Sequence, residues 1–318
     1  MAPFRIEPVF VGRVWGYHDL RPWYDRVSEG DPIGEVWLTG DECLVATGPH
    51  AGKKLGELFR SDAASLLGAK IAVKESPLLV KVLFAREKLS VQVHPDDKMA
   101  QKYGQPCGKT ECWYALAAER DAQVAVGLRP GTTHAGVEEG IKNGTLESML
   151  NAVTIAAGEM IFVDAGTVHA IWPGSVLLET QQNCDLTYRL FDYGRPRELH
   201  IEKSLEATQL TTRAGKVVPR EVGDRTVLID VEYFRVERIA FSGSRTSESL
   251  RNADERPRLS YLFAASGAGL VTSAEFEAVD LPARGIVAVP ASSPEFRVED
   301  AGAAGAALDL IRITPNWP

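Results

Sequence analysis

Short apolar segments of strand length constrain the fold of this chain more than any other feature of its sequence. Gly, Pro, Asn and Asp interrupt these segments at short intervals, a pattern typical of strands joined by tight turns. The clearest candidate strands cover residues 78–84, 89–94, 112–118, 159–165, 175–180 and 186–191. Helical spacing of apolar residues is found in residues 53–68, 134–144 and 198–210. Many strands with few helices predict a mostly β protein built as a sandwich or barrel.

The second half of the chain faintly repeats the first. Residues 158–171 and 284–298 share one plan: a glycine, an apolar strand, a turn of small residues and a second strand. All six histidines fall within the first 200 residues, so only the first copy can hold a histidine-ligated site. The polar segment 212–228, marked by Pro and Gly, suggests a boundary. We therefore predict an N-terminal module, residues 1–215, with a metal site and helical insertions, and a C-terminal module, residues 228–318, without metal ligands.

The composition is that of a soluble globular protein with room for about two domains in its 318 residues. Apolar residues make up 45% and charged residues 25%, which fits a sizeable core. A net charge of −8, from 35 basic and 43 acidic residues, gives no basic footprint for nucleic acid. No segment reads as a signal peptide or a membrane span, so we expect a cytoplasmic protein. Four cysteines without a Cys-x-x-Cys motif argue against a disulfide framework and a thiolate metal site.

The segment SVQVHPDD, residues 90–97, places an amide and an imidazole side by side on a predicted strand. Because side chains alternate along a strand, the two valines share the buried face, and Gln92 and His94 share the other face. The Pro-Asp-Asp sequence ends the strand and can cap a helix over residues 96–103. The polar pair is therefore a candidate for ligand binding.

Glu111 and His169 complete a candidate metal site with Gln92 and His94. Glu111 begins the next strand after a turn rich in Pro and Gly, and His169 follows a tight turn between two further strands. Two imidazoles with carboxylate and amide oxygens suit Zn²⁺, with Mn²⁺, Fe²⁺ or Co²⁺ also possible. Taken alone, a strand histidine is more often a hydrogen-bonded core or surface residue than a ligand. The spacing from Gly158 to His169 favours the metal site, because it matches the second cupin motif with an aspartate at the usual proline position.

Five longer stretches of the chain carry a resemblance to one known family. They are PLLVKVLFAREKLSVQVHPDD, GKTECWY, AGTVHAI, LLETQQNCDLTYRLFDYGR and LHIEKSLEA. In sequence and order they resemble type I mannose-6-phosphate isomerase in its shorter bacterial form. The likeness is strong over residues 5–210 and holds in outline beyond them. It implies a mostly β double cupin, in which two β-barrel or jelly-roll modules are accompanied by a few helices.

The resemblance also implies an activity and a set of site residues. The family members are zinc-dependent isomerases that interconvert mannose 6-phosphate and fructose 6-phosphate, an aldose–ketose isomerisation that passes through an enediol(ate). One Zn²⁺ per chain would be bound by the residues onto which the family's ligands fall: Gln92, His94, Glu111 and His169. The family's further active-site positions fall on Lys109, Arg189 and Glu179.

The chemistry of these three residues suits an isomerase. Arg189 is permanently charged and can stabilise an enediolate. Lys109 can shuttle a proton if the nearby metal lowers its pKa, or it can bind phosphate instead, and Glu179 is a candidate base. Which of Lys109, Glu179 and a metal-bound hydroxide takes the proton from carbon stays open. Without the resemblance, a solvated turn lysine, a strand-edge glutamate and an arginine paired with a neighbouring aspartate would be the simpler interpretations.

Departures from the family pattern keep other functions in view. Tyr17 replaces the second glycine of a WGG turn, Trp172-Pro173 follows the distal histidine motif, and Cys184 occupies a usual serine position. One alternative is a non-catalytic or altered-specificity sugar-binding cupin paralogue. Another is a cupin dioxygenase that uses Fe²⁺ at the same ligands, although dioxygen chemistry needs no pair such as Lys109 and Arg189.

The expected partner is a phosphosugar substrate. We expect neither nucleic acid nor a membrane as a partner, and we expect the chain to be a monomer or a homodimer. No P-loop or Rossmann glycine pattern is present in the sequence, so a nucleotide cofactor is not expected.

Overall fold

The computed structural model describes residues 1–68, 75–251, 255–302 and 307–316. Strands dominate this part of the chain, which also contains five α-helices and one 3₁₀ helix. The expected mostly β fold is therefore confirmed. Contacts divide the chain into two compact units. The terminal unit comprises residues 1–9, 37–77 and 218–318, and the central unit comprises residues 10–36 and 78–217.

The bounds of the elements follow in chain order. The strands are β1 (Phe4–Glu7), β2 (Val9–Tyr17), β3 (Ile33–Trp37), β4 (Leu44–Val45), β5 (Leu78–Ala85), β6 (Val91–Val93), β7 (Glu111–Ala118), β8 (Gln123–Leu128), β9 (Leu150–Thr154), β10 (Met160–Val163), β11 (His169–Ile171), β12 (Ser175–Gln182), β13 (Tyr188–Phe191), β14 (Gly215–Lys216), β15 (Arg220–Val222), β16 (Arg225–Asp230), β17 (Phe234–Phe241), β18 (Ser244–Thr246), β19 (Ser260–Ser266), β20 (Gly269–Thr272), β21 (Val279–Leu281), β22 (Ile286–Val289), β23 (Arg297–Asp300) and β24 (Leu308–Pro315). The helices are α1 (Leu55–Leu67), α2 (Asp97–Lys102), α3 (His134–Asn143), α4 (Ile201–Ala207), α5 (Ser247–Leu250) and the 3₁₀ helix Leu146–Met149. Within the described ranges, no helix combines the length and the apolar character that crossing a membrane requires.

All six strands predicted from the sequence are present, as β5, β6, β7, β10, β12 and β13. The three predicted helices correspond to α1, α3 and α4, and the aspartate cap predicted for a further helix, α2, is also present. Gly144 caps α3 in the left-handed conformation, with φ of 69°, which glycine adopts without strain. Asp96 caps α2, where its carboxylate accepts a hydrogen bond from the backbone N–H of Met99 at 2.8 Å.

The central unit consists of two antiparallel sheets. The seven-stranded sheet has the order β14-β10-β7-β12-β5-β3-β2, and the five-stranded sheet has the order β13-β6-β11-β8-β9. Leu83, Ala115 and Leu177 of the first sheet pack with Val124 and Val126 of the second. This apolar core holds the two sheets face to face.

Polarity changes along the inner face of the seven-stranded sheet. In β5, β12 and β7, the apolar residues Leu83, Leu177 and Ala115 lie opposite one another. Two residues along each strand, and therefore on the same face, the row becomes Lys81, Glu179 and Trp113. One half of the space between the sheets is thus a hydrophobic core, and the other half is lined by charged groups.

The five-stranded sheet uses its other face to bury the predicted valines. Val91 and Val93 of β6 pack with Val137 of α3 and Ala207 of α4. Gln92, between the valines, points to the opposite side and lies in register with His169 of β11. The alternation in SVQVH therefore places the valines on one face of β6 and Gln92 on the other, as predicted.

The terminal unit also contains two sheets. Their orders are β15-β16-β17-β24-β19-β22-β1-β4 and β18-β23-β20-β21. Ile239, Leu310 and Ala264 lie opposite one another on β17, β24 and β19 and belong to the core of this unit, with Val271 and Val298 from the smaller sheet.

The chain enters each unit more than once. Residues 1–9 and 37–77 group with residues 218–318, because β1 pairs with both β22 and β4. The boundary of the central unit at 217 lies near the end of the predicted module 1–215. The two predicted modules, 1–215 and 228–318, stay a prediction about how the chain is organised.

Candidate metal centre and active-site cavity

Three buried side chains, His94, Glu111 and His169, converge between the two sheets of the central unit. Glu111 begins β7, His169 begins β11, and His94 directly follows β6. The Nε2 atom of His94 lies 3.6 Å from one carboxylate oxygen of Glu111, and that of His169 lies 3.5 Å from the other. Because possible ligand atoms of all three lie within 4.8 Å of one another, this group could hold a metal ion.

Backbone carbonyls fix the tautomer of both imidazoles. His94 Nδ1 lies 2.9 Å from the carbonyl oxygen of Leu186, and His169 Nδ1 lies 2.9 Å from that of Thr167. A carbonyl oxygen only accepts hydrogen bonds, so each Nδ1 carries the proton and each Nε2 keeps a lone pair directed towards Glu111. This is the arrangement that orients a histidine as a metal ligand.

Both imidazoles are held in the neutral form that binds metals. Burial lowers the pKa of His94 well below its ordinary value, and the nearby Lys109 ammonium lowers it further. Burial also lowers the pKa of His169 to about 4, although the hydrogen bond to the carbonyl of Thr167 raises it. At neutral pH neither ring competes for a proton.

Three atoms of the group lack a hydrogen-bond partner among the described residues. They are Nε2 of His94 and both carboxylate oxygens of Glu111, all buried. A buried polar atom without a partner costs about 1–3 kcal/mol, and more when it is charged. A cation between the imidazoles and the carboxylate would satisfy these atoms, so the donor set fits a metal ion.

Gln92 lies at the edge of this group. Its amide Nε2 is 3.2 Å from Nε2 of His169, and its Oε1 is 3.3 Å from the hydroxyl of Ser90. Rotation of the amide by half a turn exchanges its nitrogen and oxygen. The oxygen would then face the same point as the lone pair of His169.

Lys109 is buried beside the carboxylate of Glu111, with its Nζ 3.0 Å from Oε2. Its backbone N–H donates to the carbonyl of Pro95 at 3.0 Å, which fixes the loop before β7. Burial disfavours the charged form of Lys109, but the carboxylates of Glu111 and Glu179 outweigh burial and raise its pKa above the ordinary value. Lys109 is therefore an ammonium group and not a solvated turn lysine.

Glu179 occupies the middle of β12 and is also buried. Its Oε1 accepts a hydrogen bond from the indole N–H of Trp113 at 3.2 Å, and its Oε2 lies 3.7 Å from Nζ of Lys81. Burial and the charge of Glu111 raise its pKa. A raised pKa makes this carboxylate a stronger base than an ordinary glutamate side chain.

Arg189 differs from the neighbouring arginines in its partners. Its Nη1 donates to the backbone carbonyl of Glu198 at 2.8 Å, and its buried Nε has no hydrogen-bond partner in the described part of the chain. Arg197, in contrast, forms two hydrogen bonds of 2.6 and 2.7 Å with the carboxylate of Asp192. Burial and the charge of Arg197 lower the pKa of Arg189. The simpler interpretation required Arg189 to pair with a neighbouring aspartate. Asp192 instead pairs with Arg197.

A cavity of about 540 Å³ is lined by Gln92, Lys109, Glu179 and Arg189. Its walls bring together residues of both charges and several apolar residues: Gly12, Arg13, Val14, Trp15, Glu35, Lys81, Leu83, Leu89, Ser90, Gln92, Lys109, Ile171, Glu179, Asp185, Leu186, Thr187, Arg189 and Arg197. Such a lining suits a small polar anion better than an apolar ligand.

Comparison with known proteins assigns the chain to a family. The family model of the type I phosphomannose isomerase catalytic domain matches residues 4–129. The probable mannose-6-phosphate isomerase GmuF of Bacillus subtilis is 36% identical over 76% of this chain and 80% of its own length. The chain belongs to the mannose-6-phosphate isomerase family. The mannose-6-phosphate isomerase of Streptococcus mutans is 32% identical over 75% of this chain and 80% of its own.

A solved structure extends the family likeness to the whole fold. The crystal structure of the mannose 6-phosphate isomerase from Bacillus subtilis matches 98% of this chain and 99% of its own, with a TM-score of 0.85 and 27% identity. The double cupin expected from the resemblance is thereby confirmed, and the chain is an enzyme of the isomerase family.

The sequence analysis did not identify Lys81, a buried lysine in the wall of the 540 Å³ cavity. Its Nζ lies 3.0 Å from Asp185 and 3.7 Å from both Glu35 and Glu179. Arg13 joins the same network through hydrogen bonds of 2.8 and 3.1 Å to Glu35. One signal was present in the sequence, because a lysine in the otherwise apolar strand LLVKVLF needs a buried partner.

The departures at Tyr17 and Trp172 lie outside the walls of the 540 Å³ cavity. Tyr17 lines a separate cavity of about 310 Å³ in the central unit. Trp172 packs beside Lys88, whose Nζ is 5.4 Å from the centre of the indole ring. Neither residue contributes to the surface that Gln92, Lys109 and Arg189 share.

Proposed function

We propose that this chain interconverts mannose 6-phosphate and fructose 6-phosphate through an enediol(ate). The observation that carries the proposal is the pair of imidazole lone pairs facing the buried carboxylate of Glu111, at the edge of a cavity lined by charged groups. The family relationship supports the same reaction, since the relatives named above are mannose-6-phosphate isomerases.

We propose one zinc ion per chain, with Mn²⁺, Fe²⁺ or Co²⁺ as substitutes. Its ligands would be Gln92, His94, Glu111 and His169. Neutral imidazole, carboxylate and amide oxygen form a donor set that zinc accepts. When bound, the metal would act as a Lewis acid that polarises the carbonyl and hydroxyl oxygens of the sugar.

Lys109 and Glu179 would move protons. Lys109 is an ammonium group on the cavity wall with a raised pKa, so it would donate a proton to a sugar oxygen once the positive charge of a bound metal lowers that pKa. Glu179, with its raised pKa, faces the same cavity and can take the proton from one carbon and return it to the next. Substitution of each residue would separate the roles: Glu179→Gln should abolish exchange of the carbon-bound hydrogen with deuterium, whereas Lys109→Met should slow turnover with exchange retained.

Arg189 would supply a fixed positive charge to the substrate. Among the described residues no carboxylate lies within ion-pair distance of its guanidinium, so its charge is available to an anionic ligand, and it lines the cavity. A guanidinium in this position can stabilise the negative charge that develops during isomerisation.

Metal analysis of the purified protein, together with a coupled assay on mannose 6-phosphate, tests the proposal. We expect close to one zinc per chain and an activity that a chelator abolishes and zinc restores. Bound iron with oxygen consumption would instead indicate the dioxygenase. Metal-free protein without turnover would indicate the non-catalytic sugar-binding paralogue, and turnover of a different sugar phosphate would indicate altered specificity.

We also propose a cytoplasmic location and a monomeric or homodimeric state. The net charge of −8 and the isomerase relatives support a metabolic enzyme without a nucleic-acid or membrane partner. Cell fractionation and light scattering on the purified chain test these two points.

A further inference from the structure

Two cysteine side chains meet beside the active-site cavity. Cys107 lies in the loop between α2 and β7, and Cys184 lies in the loop between β12 and β13. The Sγ of Cys107 lies 3.8 Å from the carbonyl oxygen of Asn183, the residue before Cys184, and its single thiol hydrogen can be donated either to that carbonyl or to the sulfur of Cys184. Neither residue is part of a disulfide.

Strand pairing holds the two loops in place. The backbone N–H of Gln182 donates to the carbonyl of Thr110 at 3.1 Å, and the N–H of Thr110 donates to the side chain of Gln182 at 2.9 Å. Cys107 lies three residues before Thr110, and Cys184 lies two residues after Gln182. Cys184 is buried, whereas Cys107 is half-buried, so a small molecule reaches the pair from the side of Cys107.

The environment of this pair differs from that of the other cysteines. The hydrogen bond from Cys107, with a further one from the backbone of Leu186, lowers the pKa of Cys184 to about 7. Burial raises the pKa of Cys43 to about 11 and that of Cys112 well above its ordinary value. Because the thiolate is the reactive form, oxidation at neutral pH is directed to Cys184.

The loop of Cys184 also carries contacts of the candidate site. Asp185 forms the 3.0 Å ion pair with Lys81, and the carbonyl of Leu186 holds Nδ1 of His94. On the other side, Lys109 is two residues from Cys107. A disulfide brings its sulfurs to about 2.05 Å, much closer than two hydrogen-bonded thiols. Bond formation therefore requires one or both loops to move.

We propose that Cys107 and Cys184 are a thiol–disulfide modification site. Hydrogen peroxide oxidises it, and oxidation lowers the isomerase activity. The thiolate of Cys184 attacks one peroxide oxygen, the O–O bond breaks, and water leaves once the departing oxygen is protonated. The sulfur of Cys107 then displaces the hydroxyl from the resulting sulfenic acid, and its proton leaves in a second water. Two thiols and one peroxide thus give one disulfide and two waters, with two electrons passing from sulfur to oxygen.

Treatment of the zinc-loaded enzyme with hydrogen peroxide tests the site. We expect the intact mass to fall by two hydrogen atoms and one tryptic species to contain both residues 107 and 184. Since the carbonyl of Leu186 orients a proposed metal ligand, we expect activity to fall on the order of tenfold or more. Dithiothreitol should restore it.

Two serine variants make the test specific. Cys184→Ser introduces the residue that the family resemblance gives for this position, so it should be active and should keep its activity in peroxide. Cys43→Ser, in the terminal unit, should respond to peroxide as the unsubstituted chain does.

Three outcomes would overturn the inference: no linked species, a linked species with unchanged activity, or equal peroxide inactivation of Cys184→Ser. The effect on activity rests on the proposed isomerase function, whereas the linked species does not. A chain that forms the disulfide but never isomerises mannose 6-phosphate would refute the proposed function and the regulatory effect, and leave the modification site standing.

Discussion

The central and terminal units differ in the surroundings of their buried charges. Each has two sheets whose inner faces are apolar at one end and charged at the other. In the central unit the charged row includes Lys81 and Glu179, and a cavity of about 540 Å³ lies beside it. In the terminal unit the charged row is Glu237 and Arg312, and the adjoining cavity measures about 60 Å³.

In the terminal unit, both carboxylate oxygens of Glu237 accept hydrogen bonds from arginines. Arg312 donates to Glu237 at 2.9 Å and to Glu255 at 3.0 Å, and Arg235 donates to the other oxygen of Glu237 at 2.9 Å. The central unit instead leaves a lone pair of His94 and both carboxylate oxygens of Glu111 without a hydrogen-bond partner in the described residues. Buried charge alone therefore does not identify a functional site. A functional site is indicated by buried ligand atoms that lack a hydrogen-bond partner and lie beside a cavity.

The strongest test of this difference removes one imidazole. His94→Ala or His169→Ala should remove nearly all bound zinc and reduce kcat/KM by about 10³-fold or more, because several kcal/mol of charge stabilisation are lost. Zinc analysis and the coupled assay measure both effects. The exposed His134 provides the matched control, since His134→Ala should retain metal and activity. A full equivalent of zinc in both site variants would place the metal elsewhere.

The converse test breaks the closed network of the terminal unit. Glu237→Gln removes the carboxylate that Arg235 and Arg312 share, so the free energy of unfolding should fall by about 3–5 kcal/mol. Urea denaturation measures this loss. Zinc content and kcat of the folded variant should stay unchanged, and loss of zinc in parallel with stability would contradict the separation of the two units' roles.

A third test separates the role of the Arg189 guanidinium in the central unit from the role of the metal. Arg189→Ala should reduce kcat by about 10²–10³-fold while zinc remains bound, because the lost interaction acts on developing charge. Arg189→Lys keeps the charge without the planar fork and should lose less. If zinc and kcat fell together in Arg189→Ala, the side chain would be structural.

A fourth test concerns protons. Both site histidines have lowered pKa values in the folded chain, that of His169 about 4, against about 6.5 for an ordinary histidine. Below pH 6.5 the unfolded chain binds protons that the folded, metal-free chain excludes. Stability should therefore fall from pH 6.5 towards pH 4 by at most about 1.4 kcal/mol per pH unit for each histidine, and these groups contribute no such dependence above pH 6.5.

Urea denaturation in the presence of a chelator, repeated across this pH range, measures the slope. His169→Gln should reduce it, because one of the two excluded protons is no longer involved. An unchanged slope in this variant would show that other groups cause the loss of stability in acid.

The sequence predicted local structure and the candidate ligands well, for physical reasons that act over short distances. The alternation of SVQVH separates the buried Val91 and Val93 from Gln92, and the Pro-Asp-Asp turn contains the cap of α2. Strand and turn positions also pointed to Glu111 and His169, which lie farther along the chain, and the resemblance fell on the same residues. That these residues meet depends on β11 pairing with β6, which a single sequence does not encode locally.

Long-range pairing also explains what sequence reasoning missed. Lys81 meets Glu35 and Asp185 only because the sheet closes, although its place in an apolar strand was visible. The return of β1 to pair with β22, 279 residues or more along the chain, likewise has no local signal. Cys107 and Cys184 are brought together by the end of β12, although no sequence motif links them.

The rows of side chains across β5, β12 and β7 determine how the depth of the cavity in the central unit can change. Successive rows on one face are two residues apart, or about 7 Å along a strand. The boundary between the row of Leu83 and the row of Lys81 can therefore shift only in steps of that length. Lengthening the pocket for a larger sugar would require the exchange of a whole apolar row, and single substitutions within a row would alter the shape of the pocket and leave its depth unchanged.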